Sequence, residues 1–360
     1  MNEPIDSRKN TINDVAREAG VGVGTVSRYL HPAQRRGIKH EDIRFRIEAA
    51  IRKLNYTPNP NRSKRRRVSH KLWTLGLLTS LSKDIFNSRY HTAILSGIFD
   101  RIGKTPHDLK FILLREKHYE RLDEILYEHE VDGLMILTWR IHPSVIKLVE
   151  ESDGKLPLVI FNDYDPKLKV NILYTDVKEG VKQGVFYLIE KGYRKIGMLT
   201  GPTHMVFRDG DQELQILSID VKEKTEGFME ALKEKRIPLI KTYIKRCVSY
   251  NYGDGYHEMK VWIQKGNLPE AIVCANDEIA LGAMRALKES RIWCPQGMAL
   301  VGFDDIEKAR IVSPSLTTVK QPLYQMGHDA IEILVEKIEA PGKELVQRKY
   351  MPELVVRQTA

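Results

Sequence analysis

Three groups of side chains in this 360-residue sequence have the type and spacing for recognition chemistry. The first is Arg28, which stands beside the hydroxyls of Thr25 and Ser27 on the outward side of a short amphipathic stretch. Guanidinium and hydroxyl groups are the donors that grip phosphate oxygens. The second is a run from Asn61 to Arg67 with five basic side chains and no large apolar one, a solvated tether that phosphates would neutralise and order. The third is a set of polar pairs, each placed after an apolar run: Thr79-Ser80, Trp139-Arg140, Asn162-Asp163, Asn276-Asp277 and Asp304-Asp305. Amides and carboxylates of this kind engage neighbouring hydroxyls of a polyhydroxylated ligand at two points. Within these pairs Asp277 and Asp305 read as helix caps.

The elements that must hold the first group are legible at residues 11–54. Ile12, Val15, Ala16 and Ala19 recur at i, i+3, i+4 and i+7, which predicts a helix with one apolar stripe. Thr11 and Asp14 form its start signal, and Gly20-Val21-Gly22 ends it. A second short helix buries Val26, Tyr29 and Leu30, and a third, Glu41 to Leu54, buries Ile43, Ile47, Ala50, Ile51 and Leu54. A tight glycine turn between the first two helices is the geometry that lays a recognition helix in a major groove. Periodicity alone also fits any small three-helix bundle, so charge has to decide. Residues 1–71 hold 17 Lys and Arg against 7 Asp and Glu, a net of +10, whereas the whole chain is +9 and residues 72–360 therefore carry −1. Positive charge confined to the helical unit is the footprint of a duplex-binding module.

From Leu72 the pattern changes. Nearly continuous apolar runs at 72–78, 111–114, 133–137, 158–161, 195–199, 271–275 and 299–303 alternate with amphipathic stretches, including Tyr119–His129, Val177–Lys191, Lys222–Lys235 and Asp277–Ser290. Buried strands separated by helices predict parallel βαβ units, too many for one small sheet, hence two α/β lobes with a cleft between them. Open parallel sheets bind ligands beyond the carboxyl ends of their strands, where the polar pairs fall. The division read from the sequence is a helix-turn-helix headpiece at 9–58, a basic hinge at 59–71, and an effector-binding and dimerisation core at 72–360. No apolar run approaches the roughly 18 residues that span a bilayer. The opening MNEPIDSRKN has no apolar segment of signal type, so a cytoplasmic, nucleoid-associated protein is expected. Cys247, Cys274 and Cys294 form no CxxC pair, and HExxH, GxGxxG and GxxxxGK[ST] are absent, so no metal, cofactor or catalytic role is expected.

The chain resembles the LacI/GalR family of bacterial transcription regulators over essentially its full length. TINDVAREAGVGVGTVSRYL is similar to the family headpiece and NYTPN to the start of its hinge; KGYRKIGMLTGP, ANDEIALGAMRAL, VGFDDIE, SPSLTTVKQP and ELVVRQTA follow in family order. The resemblance implies an all-α helix-turn-helix headpiece followed by a two-lobe core like that of periplasmic binding proteins. It implies a homodimer whose headpieces read a pseudo-palindromic DNA operator, usually as a repressor, under a small-molecule effector held between the lobes. A protein co-effector at the core is the alternative. A bare solute-binding protein would share the core, but it needs an export signal in place of the basic headpiece.

By resemblance, Val23 and Gly24 occupy the main specificity positions and Arg28 is the remaining base reader, its donor fork suited to guanine O6 and N7. Thr11, Thr25 and Ser27 are placed to hold phosphates, and Asn13 is either a base contact or an exposed polar residue. Asn59, Arg62 and Arg65 belong to the hinge, where an Ala-Arg-x-Leu segment is usual and Arg62-Ser63-Lys64-Arg65 stands instead. An arginine at the wedge position enters a narrow minor groove but supplies no apolar unstacking wedge. In the core the resemblance assigns Tyr90, Asn162, Lys224, Tyr250, Asn276 and Asp304 to the effector. Asn162 stands where aspartate is usual and Lys224 where arginine is usual, which leaves open both an anionic ligand near Lys224 and a sugar held differently. The segment 202–220 is unusually long and is a further source of ligand contacts.

Overall fold

The computed structural model describes residues 11–30, 41–54, 56, 72–80, 88–114, 130–137, 147, 156–162, 169–209 and 212–360. Two compact units divide the chain, 1–71 and 72–360. The expected helix Tyr119–His129, the pair Trp139-Arg140, Asp163 and the hinge residues Asn59, Arg62 and Arg65 lie outside the described residues.

The first unit is built from α1 (Ile12–Ala19), α2 (Val23–Leu30) and α3 (Glu41–Lys53). Its core is Val15, Ala16, Ala19, Val26, Tyr29, Ile47 and Ala50, and Ile12, Leu30, Ile43, Ile51 and Leu54 are partly buried around it. Gly20 closes α1 in the left-handed region, φ 63°, which a glycine adopts without a Cβ penalty.

The second unit has two lobes, each with a six-stranded sheet. Lobe 1 contains β1 (Thr74–Ser80), α4 (Arg89–Ile102), β2 (Asp108–Leu114), β3 (Gly133–Ile136), β4 (Leu158–Phe161) and β5 (Asn171–Thr175). The chain then crosses to lobe 2 through α5 (Val177–Glu190), β6 (Ile196–Thr200), β7 (His204–Asp209), β8 (Gln212–Leu217), α6 (Ile219–Glu234), β9 (Ile244–Arg246), α7 (Tyr252–Lys265), β10 (Ala271–Cys274), α8 (Asp277–Glu289), β11 (Ala299–Asp304), α9 (Glu307–Ile311) and β12 (Thr317–Lys320). It returns to lobe 1 for α10 (Leu323–Glu339) and β13 (Gln347–Tyr350), and crosses once more for β14 (Glu353–Val355). The sheet orders are β13-β5-β4-β3-β1-β2 and β14-β12-β11-β10-β6-β9, parallel throughout except that β14 runs against β12.

Parallel strands covered on both faces must be apolar all round, and β3, β4, β6 and β10 are buried at every position. In lobe 1 Leu75, Leu77, Met135, Val159 and Leu173 pack with Ile94 and Ile98 of α4 and with Met326, Ala330 and Leu334 of α10. The two helices touch through Gly97 and Gly327, where an added Cβ would stand 1.9 and 2.0 Å from the backbone oxygens of Tyr324 and Ile94. Lobe 2 carries Val181, Val185 and Phe228 on one sheet face and Trp262, Ile279 and Leu287 on the other.

The expected long segment after β6 is a two-stranded antiparallel ribbon, β7–β8, with Asp209 paired to Gln212. Its ends meet, since Ser218 N donates to Thr203 O at 2.7 Å.

Candidate functional site

In the first unit the Thr11 hydroxyl donates to the Asp14 carboxylate at 2.6 Å, and Asp14 Oδ2 accepts from Thr11 N at 2.8 Å. These bonds hold the Asp14 carboxyl below its ordinary range, the Thr11 hydroxyl being the main cause. The Thr11 side chain is therefore engaged in capping α1 before any phosphate arrives. Lys53 pairs with Glu18 at 2.7 Å, and the Tyr29 hydroxyl donates to Glu48, so both helices of the turn are tied to α3.

That frame leaves one face of α2 outward. Val23, Gly24, Ser27 and Arg28 are exposed, Thr25 is half-buried, and Asn13 on α1 is exposed. Arg28 Nε donates to Gly24 O at 3.2 Å, which folds the guanidinium back along its own helix. Nothing lies within 4 Å of where a Cβ would stand at Gly22 or Gly24, so the fold requires neither glycine for space. Gly22 begins α2 through its carbonyl alone, accepting from Thr25 N at 2.8 Å.

The expected effector residues of the core fall into two groups, one per lobe. In lobe 1 Asn162 ends β4 at φ 54°. Its Oδ1 accepts from Thr175 N at 2.9 Å, and its Nδ2 donates to the Tyr90 hydroxyl. Asn162 thus orients Tyr90 and fastens the end of β5, where the chain leaves for lobe 2. In lobe 2 Lys224, Tyr250, Asn276 and Asp304 come together at the carboxyl ends of β6, β10 and β11. Lys224 is buried, with Nζ 2.9 Å from Ala275 O, 3.0 Å from Asp220 Oδ1 and 4.2 Å from the centroid of the Phe303 ring. The Tyr250 hydroxyl donates to Asp220 Oδ2 at 3.1 Å. Burial, reinforced by the Asp220 charge, pushes that phenol well up.

Asn276 caps α8 by accepting from Ile279 N at 2.9 Å, and its Nδ2 donates to Tyr250 O at 2.9 Å. This corrects the expectation for Asp277. It is the first residue of α8, fully buried, and its carboxylate accepts from Ile306 N at 2.9 Å and from the Thr318 hydroxyl at 2.5 Å. Asp305 is not a cap either: it pairs with Arg357 at 2.5 Å and Arg310 at 3.2 Å, and α9 has no side-chain cap. Asp304 holds φ 108°, a strained value for a residue with a Cβ. Burial raises its carboxyl to about 7 despite the opposing charge of Lys224.

Three further residues complete the cluster: Ser218 and Asp220, from the segment 202–220 noted for its length, and Gln321, which the sequence reading passed over. Asp220 and Lys224 stand at i and i+4, a visible pair. Gln321 follows β12, whose TTVK is no apolar run, so the strand-end rule that picked out Asn276 does not reach it. Gln321 Nε2 donates to Asp304 Oδ1 at 2.7 Å, while its buried Oε1 has no partner among the described residues. The one His, Asp and Glu cluster among the described residues, His328, Asp329 and Glu332, is no free ligand set. Its central carboxylate already accepts from Gln325, Arg348 and Tyr350 at 2.6 Å each.

Residues 11–59 match the family described as bacterial regulatory proteins, lacI family, and residues 185–360 match the periplasmic binding protein-like domain. Among curated relatives, the HTH-type transcriptional repressor PurR of Haemophilus influenzae is 26% identical over 355 residues, covering 97% of this chain and 98% of the relative. The ribose operon repressor of Escherichia coli is 27% identical over 356 residues, covering 97% and 99%. The solved structure of the transcriptional regulator CelR in complex with cellobiose is 26% identical, with a TM-score of 0.69, and covers 98% of this chain and 100% of that one. The amino-terminal unit is a LacI-family helix-turn-helix domain, and it is followed by a periplasmic-binding-protein-like core of two parallel α/β lobes.

Proposed function

We propose that this protein is a transcription repressor that binds a pseudo-palindromic operator as a homodimer and is controlled by a small polyhydroxylated effector held between the lobes of its core. The observation that carries the reading is the exposed face of α2, rigidly mounted on a unit with all the excess positive charge, in a chain whose remaining residues form a ligand-binding fold. The headpiece spans 9–58, the hinge 59–71 and the core 72–360. Arg28 and Val23 read bases, Thr25 and Ser27 hold phosphates, and in the hinge of Asn59, Arg62 and Arg65 the wedge-position Arg65 enters the minor groove. The site of action is the cytoplasm; no described helix is long and apolar enough to cross a membrane.

Pairing of copies is supported by an apolar groove of about 820 Å³ in lobe 2, lined in part by Leu281, Met284, Ile292 and Val312. Its rim exposes Trp293 and Ile311 by 56% and 77%. A single recognition helix reads one half-site, so two-fold pairing supplies the second. Selection of genomic fragments on the full-length protein at low salt tests the function. The expected result is enrichment of one pseudo-palindromic sequence, released or tightened by an effector; absence of any sequence preference would overturn it.

A further inference from the structure

What a cleft selects is decided by the hydrogen-bonding capacity its walls leave unspent. In the lobe 2 cluster the side-chain donors of Lys224, Tyr250, Asn276 and Gln321 are all engaged. Lys224 has three N–H bonds, and it faces three acceptors: Ala275 O, Asp220 Oδ1 and the face of Phe303. The Tyr250 hydroxyl goes to Asp220, the Asn276 amide to Tyr250 O, and the Gln321 amide to Asp304.

Acceptors are in surplus. Gln321, 6% exposed, keeps a buried Oε1 with no partner among the described residues. Turning the amide over gives no relief, because it would set Oε1 against the Asp304 carboxylate. Among the described residues the Asp304 carboxylate has Gln321 as its one hydrogen-bond partner. Charge points the same way: Asp220 already offsets Lys224, Glu278 is paired with Lys308, and the Asp304 carboxyl adds negative charge whenever it ionises. A carboxylate or phosphate set against these described residues would find their side-chain donors already engaged and would be desolvated against the acceptors of Asp220, Asp304 and Gln321, which is costly.

We infer that this wall selects a ligand that presents hydroxyl or amine donors to Asp304 and Gln321, and that it excludes carboxylates and phosphates. The inference rests on reading the cleft as the effector site. It settles the choice left open by lysine at 224: the cation is neutralised within the protein by Asp220 and is not offered to an anionic ligand. Gln321 also stands where the chain crosses from β12 to α10, so a donor bound to its Oε1 acts directly on a connection between the lobes.

The test incubates full-length protein with a bacterial metabolite extract supplemented with glucose, ribose, cellobiose, glucosamine, glucose 6-phosphate, ribose 5-phosphate and gluconate. Compounds retained after gel filtration are identified by mass spectrometry. Retention of neutral or amine-bearing compounds and of no anion supports the inference. Retention of a carboxylate or phosphate overturns it while leaving the effector reading intact, and retention of nothing removes the effector reading and this inference with it.

Two variants are compared with wild type at equal melting temperature. Asp220→Asn releases the charge of Lys224 and should raise the affinity for glucose 6-phosphate at least tenfold. Gln321→Leu removes the unpaired acceptor and should weaken the retained compound at least tenfold. No change in either variant overturns the assignment.

Discussion

Arg28 meets an internal competitor before it meets DNA, because its Nε bonds the Gly24 carbonyl in the free protein. That bond is weak and exposed, so releasing the fork costs little against the about 1–3 kcal/mol that a bidentate guanine contact contributes to discrimination. Arg28→Lys should therefore relax specificity at one base pair by about 1–3 kcal/mol, read as a flattened preference in competition with single-base operator variants. Asp277 is a second residue whose role is checkable. Removing its buried carboxylate in Asp277→Ala orphans the Ile306 N–H and the Thr318 hydroxyl, and should destabilise the core by about 3 kcal/mol. Tryptophan fluorescence isolates that transition, because all four tryptophans lie beyond residue 72.

His91 gives a pH dependence with a definite sign. Burial pushes its imidazole down to about 4, while the unfolded chain takes up the proton near 6.5. The unfolded state therefore binds more protons between these values. Stability is full above about pH 6.5, falls by up to about 3 kcal/mol as the pH drops towards 4, and levels off for this group below that. Urea titrations of wild type and His91→Gln, followed by tryptophan fluorescence at pH 7 and pH 4.5, measure it: the difference between the two proteins cancels the opposite contribution of the raised Asp304 carboxyl, and a difference that does not change with pH would contradict the burial of a neutral imidazole.

At the scale of elements, α2 is the least optimised helix of the headpiece. Gly24 sits inside it with open space around it, so Gly24→Ala should stabilise α2 by about 1 kcal/mol. Amide hydrogen exchange of residues 23–30 in the full chain checks this. Serine at Gly22 should add only about a few tenths of a kcal/mol, because glycine is itself a tolerated N-cap. The first unit and the strands β1, β2, β3, β4, β6, β10 and β11 were legible in the sequence, because their apolar runs are nearly continuous and the helix ends carry caps. The buried strand β5, NILYT, was passed over, and so were the short strands β9, β12, β13 and β14. Their sequences, IKR, TTVK, QRKY and ELV, are three or four residues long and mostly polar, and their partners are brought by distant chain returns. The ribbon β7–β8 carried a readable signal in Asp209-Gly210 between alternating residues, although only the unusual length of 202–220 was taken from it. In the effector cluster, the strand-end rule and the resemblance located Asn276 and Asp304, but which neighbours consume their bonds depends on packing that no spacing reveals.

At the scale of the molecule, effector control requires that the ligand favour one arrangement of the lobes over another. Asn162 holds the end of β5, where the chain leaves lobe 1, and Gln321 stands where it returns from lobe 2, so a ligand that engages either residue acts on a connection between the lobes. Typical coupling of about 1–3 kcal/mol corresponds to a 5–150-fold change in operator affinity, measurable by titrating operator with and without the retained compound. The charge partition sets a second expectation. With six to ten phosphates neutralised, operator affinity should fall roughly 10³–10⁵-fold between 50 and 200 mM salt, and a nearly flat dependence would contradict a basic hinge that grips the backbone.

The path of the chain through the lobes also governs the order in which the protein becomes itself during synthesis. The helical headpiece is complete within its first 56 residues, yet the edge strand β13 of lobe 1 is laid down at residues 347–350, and Thr359 still has to bond Leu300 in lobe 2. A ribosome thus finishes the helical headpiece some three hundred residues before the core that has to answer the effector. Any polypeptide released early from translation would carry a finished headpiece on an unfinished core, which makes the last dozen residues the stretch where a nonsense mutation should cost the response to the metabolite.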